Sequence, residues 1–476
     1  MSTPVWITAT PPATHGELHI GHLAGPYVAA DVLTRYLRAE GEAVRFTTGT
    51  ADHASSVEVR ALRHNRKPEE VAEGYRAAIT ADWLRSGVEF DHIVRPRRDK
   101  GYGRWVQDLF SRLFAQGVIA PRTRLLPYCE PCDRWLYGAH ATGSCPHCGA
   151  DSDGGMCHEC ARPNDGGDLV SARCAVCDTP AVARRCRRLY VPLEPFRETL
   201  AEYWATAGLP PRLAALCESL VEDGLPDIAV GHPAEWGLPV PVDGFPEHRI
   251  DGCFEAAAMH LFGYDTKGPL PRRAIHFCGF GHSFCHAVLL PVLLLAQDIK
   301  LPQDFNVNES YVIEEGVQEG NVWALDLLTE YGSDTLRRHV LQARPLGRRT
   351  VFHRSGSRPP AGSWTRAGTA GSRGSSPPYG RSAADSPRRR CPVAPAGRSW
   401  SGGSTGASMT CARRTAPTPS TRAGRSPSST RWSARWPTSV TSTPTSGAGP
   451  APPAAISRRS PPSWRWHRRS PRGRAR

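Results

Sequence analysis

Val5-Trp6-Ile7-Thr8, then Pro11-Pro12 and Gly16, then His19-Ile20-Gly21-His22, reads as a β-type stretch, a turn, and the opening of a helix. At such a junction the free backbone N–H groups and the helix dipole meet an anion. Two imidazoles three residues apart at that helix start can both reach one bound phosphate. Four residues alone fit a pair of solvated turn histidines equally well, so the weight lies in what surrounds them.

Cysteine spacing is the second signal. Eight of the fifteen cysteines form four C-x-x-C knuckles, Cys129/Cys132, Cys145/Cys148, Cys157/Cys160 and Cys174/Cys177. Two knuckles supply four thiolates to one tetrahedral ion, so four knuckles make two four-cysteine zinc sites. Gly, Pro, Asp and Asn crowd the loops between them, leaving too few apolar residues for a core, so metal must hold the segment. A disulfide framework is the alternative; with no leader or membrane run to be read, the paired knuckles favour metal in a cytoplasmic chain. Cys186, Cys217, Cys253, Cys278 and Cys285 read as small core residues in a reducing compartment.

The segment Thr8-Ala9-Thr10-Pro11-Pro12 through His22, with Ala30-Asp31-Val32-Leu33-Thr34-Arg35-Tyr36 and Thr48-Gly49-Thr50, resembles the first half of a class I aminoacyl-tRNA synthetase. The nearest family is the two-zinc methionyl-tRNA synthetases. His276-Phe277-Cys278-Gly279 with His286, then Gly320-Asn321-Val322 and Leu327-Leu328…Tyr331-Gly332-Ser333-Asp334-Thr335-Leu336-Arg337, extend the resemblance from residue 1 to about 345. It implies an α/β fold, a doubly wound parallel-sheet (Rossmann-like) catalytic domain carrying a zinc-knuckle connective insertion. It implies catalytic roles for His19 and His22 on the ATP phosphates, with Gly21, His276 and Gly279 against the nucleotide. The inner knuckles (Cys145, Cys148, Cys157, Cys160) would share one zinc and the outer ones (Cys129, Cys132, Cys174, Cys177) the other. Both ions would be structural, since four thiolates leave no open position. ATP, Zn2+ and Mg2+ are the expected cofactors.

Departures from the family fall in the active site. Where the second signature should supply two lysines just before Gly320-Asn321, the chain has Glu314 and Val317 in an ungapped count. Acidic residues near a polyphosphate repel it, by about 1 kcal/mol per close pair in water and more when sheltered. A Lys-Asp pair after His-Phe-x-Gly is replaced by Phe280-Gly281, so a bound magnesium or an arginine from elsewhere would have to substitute. Positions that line the amino acid fall on Pro11, Ala13, Cys253 and His260, with Ala51 where the partner of the substrate ammonium should be and Asp52 beside it; His53 and His286 remain. Losing large aromatic contacts makes methionine a poor fit.

Residues 347–476 hold 25 Arg and a single acid, Asp385, for a charge of +24, which leaves residues 1–346, with 34 basic and 44 acidic side chains, at −10. The overall +14 therefore says nothing about the body. Three readings of the tail stay open: a basic nucleic-acid-binding arm, a plain extension, or a frameshift product of a GC-rich gene, the reading preferred. Disorder is expected on any of them, for want of apolar residues to bury.

The expected organisation is a first catalytic half over 1–115 with amphipathic helices at Ala24–Ala39 and Pro68–Gly87, the two-zinc insertion over 116–245, and a second half over 246–312 containing a buried helix at Ala287–Leu295. A stem-contact element then begins over 313–346, and the tail covers 347–476. The expected function is ATP-dependent formation of an aminoacyl-adenylate, by a divergent paralogue using a non-methionine amino acid and a small-molecule acceptor, as in natural-product pathways that build nitrogen–nitrogen bonds. Enzymes of that kind are usually partnered with a cupin, making a cupin-type enzyme a candidate partner, with tRNA the less favoured acceptor and no membrane. The alternatives are a methionine–tRNA ligase acting in translation, a catalytically silent zinc-binding paralogue, and an inactive pseudogene product.

Overall fold

The structure is a computed structural model and describes residues 4–266, 271–299, 301–313 and 322–352. Strand β1 (Val5–Ala9) is buried along its whole length, as a central parallel strand must be. Helix α1 (Ile20–His22) runs into a π-turn at Leu23–Tyr27 and then α2 (Val28–Ala39). The helix expected from Ala24 is therefore interrupted at its start. Pro26 has no N–H to donate, and Gly25 leaves helical geometry with ψ of −107°. Next come β2 (Val44–Gly49), α3 (Ser55–Arg63), α4 (Pro68–Arg85), β3 (His92–Val94) and α5 (Tyr102–Ala115). Pro68 sits in the first turn of α4, with Glu69 and Glu70 at its positive end.

The insertion is built of β4 (Ala120–Cys129), β5 (Arg134–Trp135), β6 (Gly138–Ser144), β7 (Asp151–Gly154), β8 (Val170–Cys174) and β9 (Val182–Pro192), followed by α6 (Arg197–Thr206), α7 (Pro211–Asp223), β10 (Asp227–Pro233) and β11 (His248–Ile250). The chain then returns through α8 (Gly252–Thr266), β12 (Arg273–Gly279), α9 (Leu290–Leu295), β13 (Asp304–Asn308), β14 (Tyr311–Ile313), α10 (Ala324–Tyr331), α11 (Ser333–Gln342) and β15 (Thr350–Phe352). Within the expected buried helix, Ala287–Leu289 belong to a second π-turn, Cys285–Leu289, that leads into α9.

The main sheet has order β13-β12-β1-β2-β3 and all its pairings are parallel. From β1 the chain winds to one side through β2 and β3, and the returning β12 and β13 lie on the other. That reversal between β1 and β12 opens a crevice at their carboxyl ends, where such sheets bind ligands. An antiparallel sheet, β11-β10-β9-β4-β5, and a three-stranded one, β7-β6-β8, make up the insertion.

One hydrophobic cluster joins Val5, Ile7, Tyr27, Phe46 and Trp83 to Val322, Leu327, Leu336 and Phe352. A larger cluster packs α5, α6, α7 and α8 against the Ala287–Leu294 run. Two sequence expectations change here. Residues 347–352 belong by composition to the tail, yet β15 pairs in parallel with β14 and buries Phe352; the remainder of the tail lies outside the described residues. Cys253 and Cys285, expected as separate core thiols, are joined as a disulfide, because α8 and the second π-turn bring their Cα atoms to 6.6 Å. Cys186, Cys217 and Cys278 are free and buried.

Asp31, enclosed on α2, ties α11 to α2 and to the turn after α4: it pairs with Arg35 at 2.8 Å and with Arg337, which also donates to the Ser86 and Gly87 carbonyls. Replacing Arg337 by Ala leaves Asp31 with Arg35 and the Glu89 amide. We expect a loss of about 2 kcal/mol in denaturant unfolding; a change below about 0.5 kcal/mol would show that the pair contributes nothing.

Candidate active site and zinc knuckles

His19 is the N-cap of α1: its Nδ1 accepts the Gly21 N–H at 3.1 Å, and the His19 N–H donates to His22 Nδ1 at 3.2 Å. The two rings lie 3.9 Å apart, centroid to centroid. His22 is held well below the ordinary imidazole range, by burial first and then by neighbouring His19, His282 and His15. With each Nδ1 accepting a backbone N–H, each neutral ring carries its proton on Nε2 and can donate it to an anion. A side chain at position 21 would place its Cβ 2.8 Å from the His19 ring, so Gly21 lets that ring fold over the helix start. Trp323 bridges to His19, and the Ala324 N–H donates to the Leu18 carbonyl, which braces the turn from the C-terminal side.

Gly279 closes β12 opposite Asn308 at the end of β13. His276 is fully enclosed, and its Nδ1 lies 2.9 Å from His286 Nδ1. Thr10 contacts His286 Nε2 at 2.9 Å, and Thr8 contacts His260 Nδ1 at 3.0 Å. Ala13 and Ala51 form a parallel bridge, with the Ala51 N–H on the Pro12 carbonyl, which brings Pro11, Ala13, Ala51 and Asp52 together. Asp52 is buried with both carboxylate oxygens unbonded, and burial raises its pKa to about 6. For His53, burial opposes the charge, but the Glu255 carboxylate at 2.9 Å prevails and raises the pKa. Cys253, at the start of α8, is held in the disulfide.

At the positions of the altered Lys-Asp pair, Phe280 lies beneath the Arg212 guanidinium, 3.7 Å from ring centre to Cζ. Arg212 is itself paired with buried Glu309 and donates to the Glu159 carbonyl, so its charge is already engaged. Gly281 packs against the inner knuckle: a Cβ there would sit 2.9 Å from His158 Cα. Glu314 and Val317 lie outside the described residues.

The eight knuckle sulfurs gather into two groups of four: Cys129, Cys132, Cys174 and Cys177, and Cys145, Cys148, Cys157 and Cys160. Sulfur–sulfur distances are 3.4 and 3.9 Å in the outer group and 3.8 and 3.6 Å in the inner one. Tetrahedral Zn–S bonds of ~2.3 Å require ~3.8 Å between sulfurs, so the donor sets fit zinc. In each knuckle the residue after the second cysteine is left-handed: Asp133, Gly149, Ala161 and Asp178. That turn aims the loop N–H groups inward, and the His147 and Val176 amides each donate to a cysteine sulfur at 3.4 Å.

Buried polar links dock the insertion on the catalytic body. Arg63 donates to the Ala175 carbonyl, and Glu58 meets His140 and Arg134. Arg188, with no solvent exposure, pairs with Asp165 and touches His232, which reaches Asp251; the Asp251 carboxylate accepts the Cys253 and Phe254 amides that begin α8. Sequence reasoning missed this relay, the Thr8 and Thr10 contacts, and His158 and His282, whose rings meet edge to face at 5.1 Å. His282 stood three residues past Gly279 and could have been flagged by position; the others depend on contacts distant in sequence.

The family described as tRNA synthetases class I (M) matches residues 5–262. The methionine–tRNA ligase of Pyrococcus furiosus is 29% identical over 380 residues, covering 73% of this chain and 52% of that protein. The ligase of the same name from Thermomicrobium roseum is 28% identical over 365 residues, covering 72% and 62%. The chain thus spans between about half and two thirds of the length of these curated relatives. Among solved structures, Mycobacterium tuberculosis methionyl-tRNA synthetase in complex with methionyl-adenylate superposes with a TM-score of 0.58 at 22% identity, over 74% of this chain and 66% of that one.

If each group of four thiols holds an ion, metal analysis of the purified chain returns two zincs, and Cys157→Ser lowers that to one with a fall in melting temperature. Two zincs retained by the variant would show that Cys157 is not a ligand.

Proposed function

The chain belongs to the class I tRNA synthetases (M), and on that premise we propose that it activates an amino acid with ATP. A carboxylate oxygen of the amino acid attacks the α-phosphorus, the bond from that phosphorus to the bridging oxygen breaks, and pyrophosphate leaves with the electron pair. The observation that carries the reading is the His19–His22 pair, held by reciprocal hydrogen bonds at a helix start beside the β1–β12 crevice. His19 and His22 donate their Nε2–H groups to the phosphate oxygens as charge grows there, and the α1 amide dipoles act in the same sense. Asp52, once ionised, is the counter-charge for the substrate ammonium. Zinc supplies structure only, since each set of four thiolates is closed to water. Mg2+ would travel with the ATP phosphates and shield them.

Three observations support a paralogue that uses an amino acid other than methionine. Ala13 and Ala51 are small, Cys253 is tied to Cys285, and His260 brings a polar ring. Engagement of Arg212 by Glu309 withholds that cation from a leaving group. That suits a slower reaction and a small-molecule acceptor, such as an amine or a hydroxylamine, with a cupin-type enzyme as candidate partner. Methionyl transfer to tRNA is the second reading, favoured by the names of the relatives.

Amino-acid-dependent ATP–pyrophosphate exchange on the full chain tests the proposal. His22→Ala should lower exchange by about 100-fold with its zinc content intact; absence of exchange in the parent chain with every amino acid sinks the activity. Exchange with methionine followed by methionylation of tRNA would establish the second reading. The Asp52 pKa of about 6 sets a pH dependence. The carboxyl is neutral below that value and ionised above it, so KM for the amino acid should rise as the pH is lowered through the Asp52 pKa. A flat profile would remove Asp52 from ammonium binding.

A further inference from the structure

Three imidazoles crowd the interior beside the β1–β12 crevice: His260 from α8, His276 from β12 and His286 from the second π-turn, with ring centroids 5.1 to 5.6 Å apart. All are nearly excluded from solvent, at 6, 0 and 3% exposure. Neutral imidazoles are costly to bury unless each nitrogen finds a partner, so where their hydrogen bonds go is a question with a definite answer.

Thr10 donates its hydroxyl proton to the Phe277 carbonyl at 3.3 Å. The same oxygen then accepts from His286 Nε2 at 2.9 Å, which makes His286 Nδ1 an acceptor for the His276 Nδ1–H at 2.9 Å. His276 Nε2 is left as a buried lone pair with no partner. His260 uses Nδ1 on Thr8 at 3.0 Å, and its Nε2 bonds to no described residue. Burial lowers the pKa of each ring, and neighbouring histidines lower His276 and His286 further. At neutral pH the group is therefore an uncharged array of donors and acceptors, with one nitrogen of His260 and one of His276 unspent.

Resting on the amino-acid activation proposed above, we infer that this crevice selects an amino acid whose side chain ends in an uncharged hydrogen-bonding group, such as a hydroxyl, carboxamide or hydroxylamine, read by His260 Nε2. An apolar side chain would seal the unspent nitrogen away from water with nothing to bond, and a site built to hydrogen-bond its ligand rejects an analogue that cannot do so. A carboxylate side chain would meet neutral rings crowded by one another, with no fixed cation among them.

The experiment compares homoserine, serine, asparagine and glutamine with methionine and norleucine in ATP–pyrophosphate exchange on the full chain. Binding of the homoseryl and methionyl sulfamoyl-adenosine analogues is followed in parallel by calorimetry. The polar set should exceed the apolar set by about 100-fold or more in kcat/KM, and the homoseryl analogue should bind correspondingly tighter. His260→Phe should shift that ratio by about tenfold or more toward methionine, while His260→Gln, which keeps a hydrogen-bonding end, should hold it; melting temperature and zinc content report folding. Should His260→Phe fail to fold, the parent's analogue ratio and the Gln variant still decide. Methionine preferred in exchange, or its analogue binding as tightly, overturns the inference and leaves amino-acid activation standing. Tight binding of the homoseryl analogue without exchange upholds the inference and removes only the catalysis. Neither exchange nor analogue binding removes both.

Discussion

Parallel pairing of β1 with β12 is the constraint on which the site depends. It joins segments far apart in the chain: the Thr10 hydroxyl bonds the Phe277 carbonyl across 267 residues. Until that pairing forms, His19 and His22 have no crevice to face, and Thr8 and Thr10 have no histidines to meet. The closure entropy of so long a loop grows slowly with its length, but it must be met before any of the long-range contacts repay it. The insertion between the two halves shortens the problem, because β4 pairs with β9 from Ala120–Tyr190 to Tyr128–Val182 and closes the knuckle loops between them.

That insertion is more than a spacer. It touches the catalytic body through buried polar groups, and removing one partner of such a pair leaves a charge stranded in low dielectric. Arg188 has no exposure and cannot be left unpaired; Asp165 meets it, and His232 passes the contact to Asp251 at the start of α8. The inner knuckle also presses His158 on Gly281, just after β12. Zinc held by the knuckles would thereby be linked mechanically to the elements that carry Cys253, His260 and His282.

Much of this was legible beforehand. The histidine helix start and the four knuckles are local patterns whose geometry needs only a few neighbouring residues. The strand at Val5 and the buried run before Pro291 were readable as apolar stretches. Less legible was the break in the first helix, where Gly25 and Pro26 were in plain view but the Ala24 and Gly25 carbonyls find their donor in Arg344, distant in sequence. The disulfide was not legible, because nothing in the spacing of Cys253 and Cys285 says that a helix start and a π-turn will meet. Nor was the point at which the packed body gives way to the tail. Composition turns at residue 347, whereas Phe352 is still buried against the sheet's core, since one strand and one aromatic ring are enough to be held by β14.

By itself the sequence determined the class of fold, the histidine-bearing helix start, and the cysteine spacing of the insertion. These follow from short-range rules of strand, turn, helix start and ligand spacing. Tertiary structure alone decided that Arg212 is engaged by Glu309 rather than free, that Thr8 meets His260, and that Thr10, His286 and His276 form a hydrogen-bonded chain. Each of those outcomes needs side chains from distant segments to come within about 3 Å, and only the folded chain sets that distance.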